Sequence, residues 1–201
     1  MNILERFEKE KLKRKQYEEE LLSKNININD FIDPNMNIEQ IDEIYKGLID
    51  NVDVSTYAKF CYPSTQMNYI RKALKKQLDV EYLLNPELNQ HQLREIYEGL
   101  KENLDVSQYA SVENDFWEMY NMRCQCLREE AKKIDDSIDY SLFYNEQVIE
   151  LWKGLKSGIN VHKYAKPEMS INFMCFVREG LEKKLPIDKY IDYTKYDELQ
   201  L

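Results

Sequence analysis

The sequence predicts an all-α protein, an α-solenoid-like or compact superhelical array of short helix–turn–helix repeats. The first observation behind this is self-similarity. Gln40–Ala58 (QIDEIYKGLIDNVDVSTYA), Gln92–Ala110 (QLREIYEGLKENLDVSQYA) and Gln147–Ala165 (QVIELWKGLKSGINVHKYA) match one another, the second 52 residues after the first and the third 55 further on. Weaker copies lie at Gln66–Leu83, Glu118–Ala131 and Phe173–Ile191, which sets a period of 26, paired as 52, with a three-residue insertion after the fourth full copy. The second observation is spacing. Ile41, Ile44, Tyr45, Leu48 and Val52 fall at i, i+3, i+4, i+7 and i+11, one face of a three-turn amphipathic helix. The third is composition: five Gly and five Pro among 201 residues, with 43% apolar and 32% charged, favour helix and exclude collagen-like or Gly/Pro-rich disordered chains.

The elements follow in order. Residues 1–24 predict a charged N-terminal capping helix. Glu5–Lys9, Glu10–Arg14 and Lys15–Glu19 are spaced i, i+4, and Ile3, Phe7, Tyr17 and Leu21 give a sparse apolar stripe. Lys11, Lys13, Arg14 and Lys15 form a basic run, but flanking glutamates oppose its use as a nucleic-acid arm. Residues 25–191 predict a single helical-repeat domain, and its first, degenerate copy carries Leu22, Ile26, Ile28 and Phe31 at the positions of Leu48, Val52, Val54 and Tyr57. After each helix comes Asp-Val-Ser-x-Tyr-Ala or a relative, as in Asp53–Ala58 and Asp105–Ala110. Its Asp suits an N-cap, so a short second helix or 3₁₀ turn is expected, with Val and Tyr folded back on the first helix. Pro63, Pro86 and Pro167 stop these turns. Neither helix buries its face alone, so neighbouring units must stack. Residues 192–201 read as a C-terminal cap or tail.

Equivalent positions refine the picture. Gly47, Ala73, Gly99, Gln125, Gly154 and Gly180 are equivalent, and glycine inside a helix, costing about 1 kcal/mol against Ala, implies that a neighbouring backbone passes close by. Tyr45, Arg71, Tyr97, Arg123, Trp152 and Arg178 alternate at another position, which predicts a ladder of guanidinium groups between rings. Glu43, Glu95 and Glu150 read as a solvated face.

The fourth unit diverges, at about residues 115–144: Gln125 replaces Gly, Cys126 replaces Leu, and Glu130 stands where Val52 and Leu104 stand. Deviant units and insertions map to binding faces in repeat arrays. Phe116, Trp117 and Tyr120, with Asp135, Asp136, Asp139 and Tyr140 of the insertion, are therefore the candidate partner-binding residues.

Function classes narrow by exclusion. Thirty-seven acids against 28 bases, a net charge of −9, argue against general nucleic-acid binding through phosphate neutralisation. No apolar run has the length of a membrane span, and Met1–Leu12 has no secretory-signal pattern. Cys61, Cys124, Cys126 and Cys175 lack CxxC spacing and read as free, mostly buried thiols of a reducing, cytoplasmic compartment. No Gly-rich phosphate loop, HExxH, GxSxG or Asp-rich metal loop occurs, so neither enzyme chemistry nor a cofactor nor a metal site is expected.

The unit Gln-x-x-x-Ile-(Tyr/Arg)-x-Gly-Leu-x-x-x-Leu-Asp-Val-Ser-x-Tyr-Ala, carried by Gln40–Ala58, Gln66–Leu83, Gln92–Ala110, Gln147–Ala165 and Phe173–Ile191, resembles short helical repeats in accessory proteins of phages, plasmids and integrative elements of low-GC Gram-positive bacteria. The resemblance implies a small cytoplasmic helical protein of the host bacterial cell and brings no catalytic residues. By genomic analogy it implies occlusion of a host protein, a defence nuclease or effector complex, as inhibitors of CRISPR–Cas do. Two alternatives stand beside this. An acidic nucleic-acid mimic would fill a basic groove, and direct nucleic-acid binding would use Arg71, Lys72, Lys75 and Lys76 with Tyr69.

Overall fold

The computed structural model describes residues 3–189, and all its regular elements there are helical. Seven α-helices run α1 Ile3–Ser23, α2 Ile38–Ile49, α3 Ser64–Lys75, α4 Gln90–Lys101, α5 Phe116–Ile134, α6 Asn145–Lys156 and α7 Ile171–Glu182. A three-residue 3₁₀ turn follows each: Ile28–Asp30, Val54–Thr56, Glu81–Leu83, Val106–Gln108, Tyr140–Leu142, Val161–Lys163 and Ile187–Lys189. The chain divides into two compact units, Met1–Met119 and Tyr120–Leu201. In the first, α1 packs on α2, α2 on α3 and α3 on α4; in the second, α6 packs on α7. The expected cap or tail at 192–201 lies outside the described residues, as do the side chains of the expected Glu5–Lys9 and Glu10–Arg14 pairs; Lys15 and Glu19 stand 4.0 Å apart.

Six of the seven helices, all but α5, stop in the same way. A residue with left-handed φ follows each: Asn25, Asn51, Gln77, Asn103, Gly158 or Lys184. The next amide then reaches back to a helix carbonyl, as Val52 N–H does to Gly47 (3.1 Å), Leu104 to Gly99 (3.0 Å) and Leu185 to Gly180 (2.9 Å), the 6→1 bond that closes a helix C-terminus. Asp53, Asp105 and Asn160 then accept from the amide two residues on and start the 3₁₀ turn, whose first residue, Val54, Val106 or Val161, is buried.

The recurring glycine answers to a side chain and not to a passing backbone. A Cβ on Gly47 would stand 1.8 Å from Tyr57 Oη and 2.7 Å from Val54 Cγ1, and Gly99 and Gly154 face Tyr109 and Tyr164 in the same way. The Tyr57 hydroxyl donates to the Glu43 carbonyl at 3.0 Å, so glycine lets a phenol reach the helix backbone. In the second clear unit the pair is Ala73 and Leu83, both fully buried, and no phenol is present to make room for.

In four of the units a buried glutamine ties the helix to the loop that follows. Gln40 Nε2 donates to the Phe60 and Tyr62 carbonyls (3.1 and 2.7 Å), and Gln92 to those of Val112 and Asn114 (3.1 and 2.8 Å). Gln147 likewise holds Pro167 and Met169 (2.9 and 2.7 Å). Their Oε1 atoms accept from the backbone N–H of Asn37, Asn89 and Tyr144, each at 2.9 Å. Gln66 makes the donor contacts to Leu83 and Asn85, but the N-cap residue there is Pro63, which has no N–H, and Gln66 Oε1 is buried without a partner.

The ladder positions do line the helix interfaces: Tyr45, Tyr97, Arg123, Trp152 and Arg178 are buried. The partners of Arg71 and Arg178 are nevertheless carboxylates in place of the expected rings. Arg71 donates to Glu43 (2.9 Å) and Asp50 (2.6 Å), and Arg178 to Glu150 (2.6 Å) and Glu182 (2.8 Å). In a poorly solvated interface a full counter-charge outweighs a ring quadrupole. The rings find other company: Tyr45 stacks on Tyr17 (6.3 Å), Tyr97 tilts on Tyr69 (5.5 Å), and Lys156 lies 5.5 Å from the Trp152 centroid. Glu43, Glu95 and Glu150, read from sequence as solvated, are 6%, 1% and 6% exposed. Burial pushes the Glu43 carboxyl up, but hydrogen bonds from Lys46 and Arg71 prevail and hold it below the usual range; Lys153 and Arg178 do the same for Glu150.

Candidate interaction surface

The divergent unit begins with a reciprocal cap: Asp115 N–H donates to Glu118 Oε2 (2.7 Å), and Glu118 N–H to Asp115 Oδ1 (2.9 Å). This starts α5 one residue later, at Phe116. The Phe116 ring is half-buried, 5.5 Å from His91 and 4.9 Å from Trp117, with the Arg94 guanidinium 4.9 Å from its centroid. Trp117 is 64% exposed. Its equivalents in the other helices are Glu39, Thr65, His91, Glu146 and Asn172, all polar and all exposed. A large apolar ring therefore stands in solvent at a position that the matching segments of α2, α3, α4, α6 and α7 give to polar groups.

In the second unit the candidate residues separate. Tyr120 is half-buried; its hydroxyl donates to Glu146 (2.9 Å), and the Arg123 guanidinium lies 5.7 Å from its ring. Burial and that bond raise the Tyr120 pKa. Asp135 Oδ1 accepts from Ser137 N–H and Oγ (3.1 and 2.6 Å), and its Oδ2 lies 2.8 Å from His162 Nε2. Asp139 accepts the same pair of bonds from Ser141. The serine bonds lower both carboxyls. Asp136 is exposed.

Tyr140 corrects the sequence reading. It is 4% exposed and so is no surface residue. It opens its 3₁₀ turn, the place Val54, Val106 and Val161 hold elsewhere, and that place points into the core. Burial pushes its hydroxyl up to about 12. Large apolar side chains exposed in this segment are Ile134 (55%), Leu142 (63%) and Tyr144 (77%), which sequence reasoning passed over. The three-residue period of a 3₁₀ turn, read from a buried first residue, puts Phe143 inside with Tyr140 and leaves Leu142 and Tyr144 outside.

The insertion works by extending α5 to 19 residues, where α2, α3, α4, α6 and α7 each have 12. No Gly or left-handed residue stops it. Its buried stripe shifts: Cys124, Leu127 and Ala131 are buried, while Met122 is 37% exposed although its equivalents Ile44, Ile70, Ile96, Leu151 and Val177 are fully buried. Arg128 now holds the returning loop, donating to the carbonyls of Tyr140 (3.4 Å) and Phe143 (3.0 Å) as glutamine does elsewhere. A groove of about 580 Å³ lies here, lined by Arg128, Lys132, Asp136 and Asp139 among others.

The remaining sequence candidates are committed to the scaffold. Arg71 and Lys75 are paired with Glu43 and Asp50, and Lys72 lies over Tyr69 at 5.7 Å, so carboxylates match two of the four charges of the basic run. Cys124 and Cys126 are buried, Cys175 half-buried and Cys61 exposed; all four are free thiols. Among the described residues no group of three or more His, Cys, Asp or Glu is placed to hold a metal, and no helix is long and apolar enough to cross a membrane. No protein-family model, curated protein or solved structure matches the chain.

Proposed function

We propose that this protein is a non-enzymatic protein-binding module built as a 26-residue helical-repeat array, solenoid-like, with a paired period of 52, and that its divergent unit engages the partner. Supporting the array is the reuse of one set of contacts, glutamine to loop, glycine to tyrosine and left-handed residue to helix end, in units from both halves of the chain. Supporting the paired period, the contact between helices alternates: rings for Tyr17–Tyr45, ions for Glu43–Arg71, rings for Tyr69–Tyr97.

The observation that carries the binding role is Trp117. Covering an exposed indole releases roughly 2–3 kcal/mol, and tryptophan dominates binding hot spots. The resemblance to accessory proteins of mobile elements points to a host defence effector as the partner. The acidic-mimic reading is weaker, because Asp135 and Asp139 already accept two bonds each from their serines. Capture from a lysate of low-GC Gram-positive cells, with wild type, Trp117→Ala and Phe60→Ala in parallel, tests the proposal. A partner held by wild type and Phe60→Ala but lost with Trp117→Ala is expected. A partner held equally by all three, or none at all, would overturn it.

A further inference from the structure

α5 opens with the same cap as α2 and α4, but with charge added. The reciprocal boxes of α2 and α4 are Asn37 with Gln40 and Asn89 with Gln92, both neutral. On α5 the pair is Asp115 with Glu118, which makes the same two bonds through Asp115 Oδ1 and Glu118 Oε2. Asparagine and glutamine close this box without charge, so the helix end does not require two carboxylates. Among the described residues, Asp115 Oδ2 and Glu118 Oε1 accept no hydrogen bond, and neither side chain pairs with a cation. Both side chains are exposed, and Trp117 stands between them in the first helical turn. The surrounding chain has the same sign: between Lys101 and Arg123 lie five acids, Glu102, Asp105, Glu113, Asp115 and Glu118, and no base.

The adjoining ring shows what such groups hold. The Arg94 guanidinium lies 4.9 Å from the Phe116 centroid while its Nε donates to Glu95 at 3.0 Å. One arginine thus takes a ring on its face and a carboxylate on its edge. Its charge is matched by Glu95, which leaves those of Asp115 and Glu118 unmatched.

We propose that Trp117 and its two flanking carboxylates form a receptor for an arginine side chain of the protein partner, the guanidinium stacked on the indole and donating to Asp115 and Glu118. This rests on the reading of Trp117 as the contact residue and adds the partner's chemistry, a basic protein segment. An acidic segment would meet like charge here. Arginine is favoured over lysine, because a planar fork can stack and bond at once where an ammonium is a compact point charge.

Fluorescence anisotropy of a labelled arginine nonapeptide with the full chain, in about 50 mM salt so that screening is weak, tests this. D115N/E118Q restores the neutral box of the other helices and so keeps the helix end. It should bind the peptide several-fold more weakly than wild type, as should Trp117→Leu. D53N/D79N, which removes two charges elsewhere in the same unit, should bind as wild type does. A lysine nonapeptide should bind wild type more weakly than the arginine one. Equal loss in D115N/E118Q and D53N/D79N would mean diffuse attraction to net charge and overturn the proposal, and so would equal binding of the two peptides. The lysate capture separates this from the binding role itself. A partner lost with Trp117→Ala but kept with D115N/E118Q would refute the arginine receptor and leave the role of Trp117 standing.

Discussion

Replacing Gly47 by Ala should destabilise the protein, although Ala is the better helix former. Helix propensity alone favours Ala by about 1 kcal/mol. Against it, the new methyl would stand 1.8 Å from Tyr57 Oη and 2.7 Å from Val54 Cγ1, both on buried residues. Crowding a packed site costs about 1–3 kcal/mol. Losing the Tyr57 bond to the Glu43 carbonyl costs about 1 more. The net loss should be about 2 kcal/mol, read as a lower urea midpoint at unchanged m-value. The second clear unit supplies the compensating change, because there Ala73 and Leu83, both buried, stand at the positions of Gly47 and Tyr57. In a Tyr57→Leu background, Gly47→Ala should therefore be neutral or stabilising, a coupling of about 2 kcal/mol across the cycle. If Gly47→Ala raised the midpoint on its own, the glycine would owe nothing to the phenol and the reasoning would be wrong.

Other expectations are simpler to state. Gln92→Met should cost about 1–3 kcal/mol in urea unfolding, because it strands the half-buried Val112 and Asn114 carbonyls and the Asn89 amide. Gln77→Gly should gain about 0.5–1 kcal/mol, since Gln77 holds φ 57° where glycine is unstrained; an unchanged Tm would speak against that helix ending. Glu43, Asp50 and Glu150 are held below their ordinary values despite burial, by bonds from Lys46, Lys75, Lys153 and the two arginines. Their contribution should be fully present above the unfolded carboxylate range, about pH 4–4.5, and vanish as pH falls through the lower folded values. Stability flat across that range, in a pH series of urea melts, would contradict those pairings.

The helices were legible because their apolar spacing and their repetition agree. The 3₁₀ turns were legible through Asp53 and Asp105, whose carboxylates can serve only the amides just ahead. What escaped was the partner of each polar group. Periodicity marks Glu43 as polar but does not reveal that Arg71 arrives 28 residues later to bury it. Gly47 signalled a close approach correctly, yet only coordinates identify the approaching atom as a phenol oxygen. Gln40 recurs as plainly as glycine does, and its Asn37-x-x-Gln40 spacing is a capping box. Its second task, holding the Phe60 and Tyr62 carbonyls, depends on a loop path that no local pattern encodes. At the candidate surface, Trp117 was readable as an aromatic in a deviant unit, whereas Tyr140 misled because an aromatic in an acidic insertion looks exposed.

The central claim is that one contact set is used again and again to bind helix to helix. Parallel double-mutant cycles on Glu43–Arg71 and Glu150–Arg178, each taken to Leu and Met, test it most directly. Each single change takes one member from a network that keeps a second counter-charge, Asp50 or Glu182 for the arginines and Lys46 or Lys153 for the glutamates, and should cost about 1–3 kcal/mol, while each double change should cost less than the sum of its singles. The two coupling energies should agree within about 0.5 kcal/mol. A large coupling in one pair and none in the other would mean that equivalent positions do not carry equivalent contacts.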